Sequence, residues 1–463
     1  IVNGGVPPYS YQWNNGAGNM EDPSGLCKGI YILTVTDALG CTKIHTVTIT
    51  EPGSLDLSIS NDTKVLHEIL DSDDQELSVG LAGTAMRFLT AYLAIQDKEI
   101  VLTGDQRMKE RPIKVLVDAL KQLGAEISYK ESEGCPRIKI IGKKLSGGKI
   151  LIDGGISSQY ISALLMIAPK LKNGLSVEFE GEIISKPYIN MTIEMMRYFG
   201  AVVRWEGDSI IVGDKDYEIN SPLEKGARGI DVSSESISLN LSFPRETFKV
   251  EADWSAASYW YSLVALAKEA DITLYGLKKE SLQGDAVVQE IYKSFGVKTE
   301  FVEGGIRLTK SSIINNQNSL LNIDFVNCPD IAQTVAVTCT ALNVNAKLTG
   351  LKTLRIKETD RIAALQTELT KLGFSVEVEG DDVLILPSLR STKQSCTSEN
   401  EIASLHSVSF AMTSVATYND HRMAMAFAPL ALHNSITIEA ENVVAKSYPN
   451  FWKDLEVVGF SLS

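Results

Sequence analysis

Apolar residues spaced three and four positions apart recur along the chain, and each such stretch ends at a glycine followed by alternating apolar and polar residues. The spacing predicts an amphipathic helix, and the alternation predicts a β-hairpin after it. Glycine suits the left-handed conformation that closes a helix. The copies are "VLVDALKQLGAEISY" at Gly124, "TIEMMRYFGAVVRW" at Gly200, "VVQEIYKSFGVKTEF" at Gly296, "ALQTELTKLGFSVEV" at Gly373 and a weaker "FWKDLEVVGFSLS" at Gly459. The pattern predicts repeated α/β subdomains from about residue 60 onward.

Residues 1–52 follow a different pattern. Stretches such as "GGVPPYSYQW" and "GIYILTVTDALGCTKIHTVTIT" alternate β-branched and aromatic residues with polar ones, between Gly, Pro and Asn turns. This is typical of short antiparallel strands. The pattern predicts a small all-β, sandwich-like module with Trp13 as its core aromatic.

Composition narrows the class of protein. A chain of 463 residues is too long for one core and predicts two or three domains. The formal net charge of −14 argues against a nucleic-acid partner or an anionic membrane surface. No apolar run approaches about 18 residues, so no transmembrane helix and no membrane partner are expected. The cysteines after residue 100 are scattered as in reduced proteins, which favours a cytoplasmic location.

The cations of this acidic chain concentrate in a few motifs that also contain Gly, Thr, Asn or Asp. Taken singly, exposed helix faces explain most Lys and Arg residues. Taken together, convergent Arg and Lys side chains are what a small polyanionic substrate requires. The cations in question are Arg87, Arg107, Lys109, Arg111, Lys357, Arg361, Arg422 and Lys446.

A run of polar residues precedes the apolar helical stretch in "DGGISSQYISALLM". Ser157, Ser158 and Gln159 would stand at a helix N-terminus, where backbone N–H groups and hydroxyls bind phosphate. A serine there can equally serve as the helix N-cap, and the sequence alone leaves both interpretations open.

Two carboxylates lie beside these cations. Asp330 follows a proline at the start of an apolar helical run, and Glu358 stands between Lys357 and Arg361. A carboxylate flanked by cations stays ionised and can act as a base, whereas one in a desolvated cleft can act as an acid. The structural alternatives are an N-cap for Asp330 and an i,i+3 partner of Arg361 for Glu358.

His421 and Cys135 carry less weight. No second histidine stands at metal-ligand spacing from His421, so we expect no metal site. Nothing near Cys135 in the sequence would activate it as a nucleophile.

Seven motifs, in this order, resemble those of the 5-enolpyruvylshikimate-3-phosphate synthase family: "AGTAMR", "RMKERP", "SSQYISALLM", "SKPYI", "KETDR", "NDHRMAM" and "AKSYPNF". The resemblance extends over residues 54–463. It implies an α/β (α+β) fold of two lobes, each built from repeated βαβαββ-type subdomains, which agrees with the repeat above. The implied lobes are residues 54–247, with a truncated first subdomain, and residues 248–463.

The resemblance also implies an activity. The family transfers the enolpyruvyl group of phosphoenolpyruvate to the 5-hydroxyl of 3-phosphoshikimate, releasing phosphate, and needs no metal or organic cofactor. By motif, Asp330 would accept the hydroxyl proton, and Glu358 would donate a proton to the methylene carbon. Lys446 would be the third catalytic residue and would hold phosphoenolpyruvate. The remaining substrate-binding positions would be Gly83, Arg107, Ser157, Ser158, Gln159, Ser185, Tyr188, Thr353, Lys357, Arg361 and Arg422. Thr353 and Leu81 depart from residues common in the family, and a monomer is expected.

The stretch "SISND" at residues 58–62 imitates a family loop whose Lys, Ser and Arg bind substrate. It lies too close to Gly83 for that loop, and its continuation "NDTKVL" matches a later helix start of the family. We therefore interpret Ser60, Asn61 and Asp62 as the start of a helix near Thr63 and expect the loop to be missing. Loss of its Lys and Arg would cost about 2–4 kcal/mol each in binding or transition-state stabilisation. The sequence thus predicts a retained fold with impaired activity.

Residues 1–52 resemble an immunoglobulin-like repeat of bacterial surface adhesins, in which Cys27 and Cys41 could pair. Two alternatives to a working enzyme follow: a surface or interaction protein whose β-repeat carries the function, and a chimera joined by an error in the gene model. A sister family that acts on UDP-N-acetylglucosamine shares the fold, but "SEGCPRIKI" is a poor match to its cysteine loop.

Overall fold

The computed structural model describes residues 4–15, 18–20, 23, 29–49, 61–70, 72–213, 250–311, 320–387 and 413–462. The chain divides into two compact units, residues 1–59 and residues 60–463, and each is described by itself.

The first unit contains one antiparallel sheet of three strands in the order β1-β2-β3. The strands are β1 (Ser10–Trp13), β2 (Gly29–Thr36) and β3 (Thr42–Ile49). The turn between β2 and β3 is held by Asp37, whose carboxylate accepts the backbone N–H groups of Val6, Leu39 and Cys41 at 2.9–3.1 Å. These hydrogen bonds lower the pKa of Asp37.

The antiparallel pairing expected for residues 1–52 is confirmed, but two details differ. The described strands form a single sheet, with no second sheet facing it within that part of the chain. Tyr31 is the buried aromatic, whereas Trp13 is half-buried and its indole N–H donates to Met20 O at 2.9 Å. Trp13 was therefore the wrong residue for the core position. Cys27 lies outside the described residues, so its pairing with Cys41 stays a prediction.

The second unit begins with a helix and a complete βαβαββ repeat. The helix expected near Thr63 begins at Asn61, and Ser60 lies outside the described residues. The sheet has the order β4-β5-β7-β6, in which β4 and β5 are parallel and the other pairs are antiparallel. The elements are α1 (Asn61–Leu70), β4 (Glu76–Ser78), α2 (Gly83–Ala94), β5 (Glu99–Thr103), α3 (Gln106–Glu110), α4 (Lys114–Gln122), β6 (Glu126–Tyr129) and β7 (Ile138–Ile141).

A second repeat has the same connectivity and the sheet order β10-β11-β9-β8. Its elements are β8 (Gly148–Asp153), α5 (Ser158–Ile167), β9 (Leu175–Glu180), α6 (Lys186–Tyr198), β10 (Val203–Glu206) and β11 (Ser209–Val212).

Residues 250–462 contain the remaining described sheets, which have three, four and two strands. The three-stranded sheet is formed by β12 (Asp271–Tyr275), β13 (Val297–Val302) and β14 (Gly305–Lys310), together with α7 (Trp254–Leu266) and α8 (Val288–Lys293). The four-stranded sheet is formed by β15 (Leu321–Asp324), β16 (Ala346–Thr349), β17 (Glu377–Glu379) and β18 (Val383–Leu386). The helices α9 (Ala332–Ala341) and α10 (Arg361–Lys371) lie between these strands in the sequence. The last elements are β19 (Thr413–Val415), α11 (His421–Phe427), β20 (Ile436–Ile438) and α12 (Phe451–Val457).

The glycines that end the repeated helical pattern have the predicted conformation. All five have positive φ angles, for example +94° at Gly124 and +87° at Gly373. After Gly124, the N–H of Ala125 donates to Leu120 O at 3.0 Å, which closes α4 as a Schellman motif. The first four glycines are followed by the antiparallel pairs β6–β7, β10–β11, β13–β14 and β17–β18.

Buried apolar side chains of the second unit form two separate clusters. One extends from Ile69 to Val212, and the other from Trp254 to Leu455. Among the described residues, no helix is long and apolar enough to cross a membrane.

Candidate active site

A cavity of about 450 Å³ is lined by residues of both parts of the second unit, residues 61–213 and residues 250–462. One side is lined by α1, by the start of α2 and by the segments around Arg111 and Gln159. The other side is lined by residues of the 250–462 segment. The lining residues are Leu66, Gly83, Thr84, Ala85, Phe88, Arg111, Gln159, Asp253, Asp330, Lys357, Glu358, Arg361, His421, Arg422, Lys446 and Ser447.

Helix N-termini point several of these residues into the cavity. Helices α2, α5, α7, α10 and α11 each begin at or beside a lining residue. Asp253 and Asp420 are the N-caps of α7 and α11, and Asp360 is the N-cap of α10. The first-turn N–H groups of a helix carry partial positive charge, so this convergence favours an anionic ligand.

Arg361 is the centre of the charge network and is fully buried. Its Nε donates to Asp420 Oδ2 at 2.7 Å, and its Nη1 donates to Asp330 Oδ1 at 3.1 Å. Its Nη2 donates to Glu358 Oε2 at 2.9 Å. Burial alone would lower the pKa of Arg361, but these three carboxylates raise it overall, and the guanidinium stays charged.

Asp330 is surrounded by three cations. Its carboxylate lies 3.4 Å from Lys357 Nζ and 3.3 Å from Arg422 Nη2, in addition to the contact with Arg361. Burial acts to raise the pKa of Asp330, but Arg422, Lys357 and Arg361 outweigh it and hold the pKa well below its usual range. The carboxylate is therefore ionised and can accept a proton.

Glu358 contacts cations from both sides of the cavity. Besides Arg361, Lys446 Nζ donates to its Oε1, and Arg111 Nη1 lies 3.8 Å from the same oxygen. Burial acts to raise the pKa of Glu358, but these cations hold it well below its usual range. Glu358 is thus a carboxylate whose ionised form is stabilised by the cations around it.

His421 lines the cavity as a neutral imidazole. Burial lowers its pKa to about 3, with Lys446 and Arg422 acting in the same direction. Within the described part of the chain, no group of three His, Cys, Asp or Glu side chains is arranged to hold a metal ion.

Eight of the predicted site residues line the cavity together. They are Gly83, Gln159, Asp330, Lys357, Glu358, Arg361, Arg422 and Lys446. The structural alternative for Glu358, an i,i+3 pair with Arg361, is also present, so the two interpretations coexist.

Arg107 lies beside the cavity rather than in its lining. Its Nε donates to Glu358 O at 3.1 Å, and its Nη2 donates to Lys357 O at 3.3 Å. Arg107 therefore joins residues 61–213 to the backbone of residues 250–462.

Ser157 and Ser158 also lie outside the lining. Ser157 is the N-cap of α5, and its Oγ accepts the N–H of Gln159 at 3.4 Å, as the capping interpretation predicted. Ser158 is the first residue of the helix. Gln159 reaches the cavity and donates through Nε2 to Thr84 Oγ1 at 3.0 Å.

The other predicted residues are further from the lining. Ser185, at φ +54°, precedes α6, and its N–H donates to Val326 O at 3.2 Å. Tyr188 donates to Asp285 Oδ1 at 2.7 Å. Thr353 lies outside the lining, and its buried hydroxyl has no hydrogen-bond partner among the described residues.

Several lining residues were not among the predicted site positions. Arg111 belongs to the cation motif that also contains Arg107, so its motif was the signal that could have identified it. Leu66, Phe88 and Asp253 have no such signal. Apolar helix positions and N-cap residues have the same local sequence pattern in helices that line a cavity and in helices that do not.

Comparison with known proteins gives one family. The family model of EPSP synthase (3-phosphoshikimate 1-carboxyvinyltransferase) matches residues 55–219 and 230–455. A 3-phosphoshikimate 1-carboxyvinyltransferase of Bacteroides fragilis (strain YCH46) is 43% identical over 421 residues, covering 90% of this chain and 92% of the relative. The enzyme of that name from Mannheimia haemolytica is 38% identical over 384 residues, covering 82% and 78%.

Solved structures give the same fold. The 2.37 Å structure of EPSP synthase from Acinetobacter baumannii matches with a TM-score of 0.57 and 22% identity, over 84% of this chain and 80% of that one. The enolpyruvyl transferase NikO from Streptomyces tendae matches with a TM-score of 0.52 and 12% identity, over 92% and 84%.

Proposed function

Since this chain belongs to the EPSP synthase family, we propose that its cavity transfers the enolpyruvyl group of phosphoenolpyruvate to the 5-hydroxyl of 3-phosphoshikimate and releases phosphate. The observation that carries the proposal is one cavity with five cations and two ionised carboxylates, Asp330 and Glu358, held within contact distance of those cations. Both substrates are polyanions, and such a cavity compensates their charge while holding them together.

The first role is proton acceptance by Asp330. An ionised carboxylate among three cations can remove the proton of the 5-hydroxyl as its oxygen attacks C2 of phosphoenolpyruvate. The methylene carbon gains a proton in the same addition, which gives a tetrahedral intermediate. Loss of a proton from the new methyl group and of phosphate from C2 then completes the transfer.

The second role is proton delivery by Glu358, with Lys446 beside it. This carboxylate is ionised because of Arg361, Lys446 and Arg111. Anionic groups of the substrates would compete for the same cations, which raises the pKa of Glu358 towards the range of a proton donor. Substrate binding would thus prepare the acid.

The remaining roles follow the motifs. Gly83, Arg107, Arg361, Arg422 and Lys446 would hold phosphoenolpyruvate, and the side of the cavity around α5 and Lys357 would hold 3-phosphoshikimate. The proposed 3-phosphoshikimate ligands are Ser157, Ser158, Gln159, Ser185, Tyr188, Thr353 and Lys357. Five of these residues, Ser157, Ser158, Ser185, Tyr188 and Thr353, lie outside the cavity lining, so their role requires a rearrangement on binding.

We also propose the two lobes at residues 54–247 and 248–463, an independent adhesin-like module at residues 1–52, a monomeric state and a cytoplasmic location. The two separate apolar clusters support the lobes, and the compact unit of residues 1–59 supports the module. The absence of the N-terminal Lys-Ser-Arg loop remains part of the proposal. It is supported by the helix that begins at Asn61, where the sequence matches a later helix start of the family.

Phosphate release from the purified chain with both substrates tests the function, with Asp330→Asn as the comparison. Release that Asp330→Asn abolishes supports the transfer reaction and shows that the loop is dispensable. No release, together with a rise in melting temperature on adding 3-phosphoshikimate, means a folded but impaired synthase. If phosphate is not released and the melting temperature does not change, the proposal is contradicted.

A further inference from the structure

Asp285 is a buried carboxylate without a cation partner. It is 1% exposed, and among the described residues no Lys, Arg or His side chain forms an ion pair with it. The other two carboxylates of the described chain that are buried to this extent are Glu368 and Asp420, and each of them pairs with a Lys or Arg side chain. An isolated buried charge is costly, so Asp285 is an exception among these groups.

Two hydroxyl groups contact Asp285 in place of a cation. Ser255 Oγ donates to its Oδ2, and Tyr188 Oη donates to its Oδ1 at 2.7 Å. Ser255 belongs to α7 and Tyr188 to α6, so the contact joins residues 61–213 to residues 250–462. Burial, and then the charges of Asp285 and Asp330, raise the pKa of Tyr188 well above its ordinary value. The phenol therefore keeps its single hydrogen, and that hydrogen is already donated to Asp285.

Close packing holds the start of α6 beside Asp285. A Cβ atom at Gly284 would lie 2.6 Å from Asn327 O and 2.9 Å from Pro187 Cβ, so these segments are in direct contact. Tyr188 follows Pro187 in the sequence, and a shift of α6 away from Asp285 would have to break this contact. An exchange of hydrogen between the two side chains needs no movement of the backbone.

We propose that Asp285 is a positioning residue that takes up a proton when 3-phosphoshikimate binds, so that the hydrogen of Tyr188 turns to the ligand. The inference rests on the proposed function for the identity of the ligand and for the role of Tyr188 in binding it. A phenol has one hydrogen and cannot donate to a carboxylate and to an anionic ligand at once. With a proton from solvent on Oδ1, Asp285 donates to Tyr188 Oη, and the phenol donates to an anionic oxygen of the ligand. Ser255 keeps its hydrogen bond to Oδ2 in both states.

The charges around Asp285 favour this uptake. Burial, and then the charge of Asp330, raise the pKa of Asp285 to about 6, although Arg422 acts in the opposite direction. An anionic ligand beside Tyr188 adds a further negative charge, which raises this pKa again. At neutral pH the carboxyl is therefore mostly ionised without ligand and protonated in the complex. Other charged or titratable groups on the segments that pack against residues 284–287 are Asp253, Glu290, Tyr292, Lys293 and Cys328.

Isothermal titration calorimetry of 3-phosphoshikimate into the full chain tests the proposal without requiring turnover. Titrations at pH 7 in buffers of different ionisation enthalpy give the number of protons taken up per ligand bound. We expect the wild type to take up about 0.5–1 proton more than Asp285→Asn, whose amide donates to Tyr188 at every pH. From pH 6 to pH 8, the wild-type affinity should fall about tenfold or more relative to that of the variant. Ionisation of the ligand's own phosphate is common to both proteins and is removed by the comparison.

Tyr188→Phe distinguishes positioning from a purely structural role. Without the hydroxyl there is no hydrogen to release, so we expect Tyr188→Phe to take up no more protons than Asp285→Asn does. The double variant should bind 3-phosphoshikimate as Tyr188→Phe does, whereas a structural role of Asp285 would lower its affinity further. If Asp285→Asn does not fold, the proton uptake of Tyr188→Phe against wild type decides the question. Asp271→Asn, at the exposed pair with Arg307, is the control and should match the wild type.

Equal proton uptake by the wild type and Asp285→Asn overturns the inference, as does a tenfold or larger loss of 3-phosphoshikimate affinity in Asp285→Asn at pH 7. A wild type with Asp285-dependent proton uptake that releases no phosphate from phosphoenolpyruvate would reject the proposed function and keep this inference. A wild type that releases phosphate without Asp285-dependent uptake would keep the proposed function and reject this inference.

Discussion

At the scale of single residues, three carboxylates share the guanidinium of Arg361, and each is held for a different purpose. Asp420 lies outside the lining of the cavity and caps α11, whereas Asp330 and Glu358 both line the cavity. A buried charge with three fixed partners cannot rotate freely, so Arg361 fixes the separation of the two reactive carboxylates. Removing one partner of such a network is costly because it leaves an unpaired charge.

Asp330→Asn tests the proposed base. The amide keeps the shape of the side chain but cannot accept the hydroxyl proton, so we expect turnover to fall about 100-fold or more while 3-phosphoshikimate still binds. Product formation, followed by chromatography, measures the rate. Glu303→Gln, an exposed carboxyl in the β13–β14 turn, should leave the rate unchanged, and an Asp330→Asn protein with wild-type turnover would contradict the assignment.

Asp285 predicts a pH dependence of stability with an unusual sign. Burial, and then the nearby charge of Asp330, raise its pKa to about 6, against the lowering effects of Arg422 and of the hydroxyls of Ser255 and Tyr188. Between pH 4 and pH 6 the folded state therefore binds more protons than the unfolded state, and the free energy of unfolding falls as pH rises.

Asp285→Asn should remove that contribution, which is on the order of 2 kcal/mol. We expect the melting temperature of the variant, relative to wild type, to rise between pH 4 and pH 6.5, because only the wild type pays for ionising the buried carboxyl. Calorimetric scans across this range measure the difference. Asp271→Asn, at an exposed pair with Arg307, serves as the control, and parallel curves for wild type and Asp285→Asn would refute the prediction.

At the scale of elements, the recurring unit is a helix closed by a left-handed glycine and followed by a hairpin. Gly373 closes α10, the helix that begins with Arg361, so this cap secures the far end of a helix whose near end forms the site. The N–H of Phe374 donates to Leu369 O at 3.0 Å across the cap.

Gly373→Ala isolates the cost of this conformation. A Cβ at Gly373 would meet no atom within 4 Å, so the penalty is backbone strain at φ +87° and not a clash. We expect a loss of about 1–2 kcal/mol in unfolding free energy for Ala and a smaller loss for Asn, which tolerates this conformation better. Urea denaturation measures both, and equal losses for Ala and Asn would contradict the argument.

The sequence was informative about elements because their signals are local. The positions of Gly124 and Gly373 in the repeated pattern predict helix ends. Asp330 and Glu358 were identified as candidates because they are carboxylates considered together with the cation-containing motifs. Sequence reasoning missed what depends on tertiary packing: Arg107 donates to backbone far along the chain, Arg111 lies 3.8 Å from Glu358, and Leu66 lines the cavity. No local pattern records which face of a helix meets a distant segment.

At the scale of the whole second unit, Arg107 joins residues 61–213 to residues 250–462 beside the cavity. Arg107→Ala removes its hydrogen bonds to the carbonyl oxygens of residues 357 and 358, each worth about 1.5–3 kcal/mol for a charged donor. We expect the two segments to separate more readily, seen as a larger radius of gyration by small-angle X-ray scattering of the ligand-free chain. Arg137→Ala, whose partner Glu76 lies in the same sheet, should not change it; identical scattering for all three proteins would reject the idea.

Deleting residues 1–52 tests the independence of the first unit. Because residues 1–59 form their own compact unit, we expect a chain of residues 54–463 to keep the melting temperature and the turnover of the full chain. Both can be measured side by side on the two purified proteins. Loss of turnover at an unchanged melting temperature would instead mean that the β module contributes to the reaction.

The convergence of helix N-termini on the cavity affects the order in which substitutions remove anion binding and catalysis during evolution. Part of the positive field belongs to peptide groups of α2, α5, α7 and α10, and a point substitution changes a side chain but leaves the peptide groups in place. Catalysis, in contrast, depends on single carboxylates that one substitution can erase. In homologues that accumulate substitutions, affinity for small anions should therefore be lost later than turnover. A homologue of this fold without activity could still bind, and so sense, the substrates of the active enzyme.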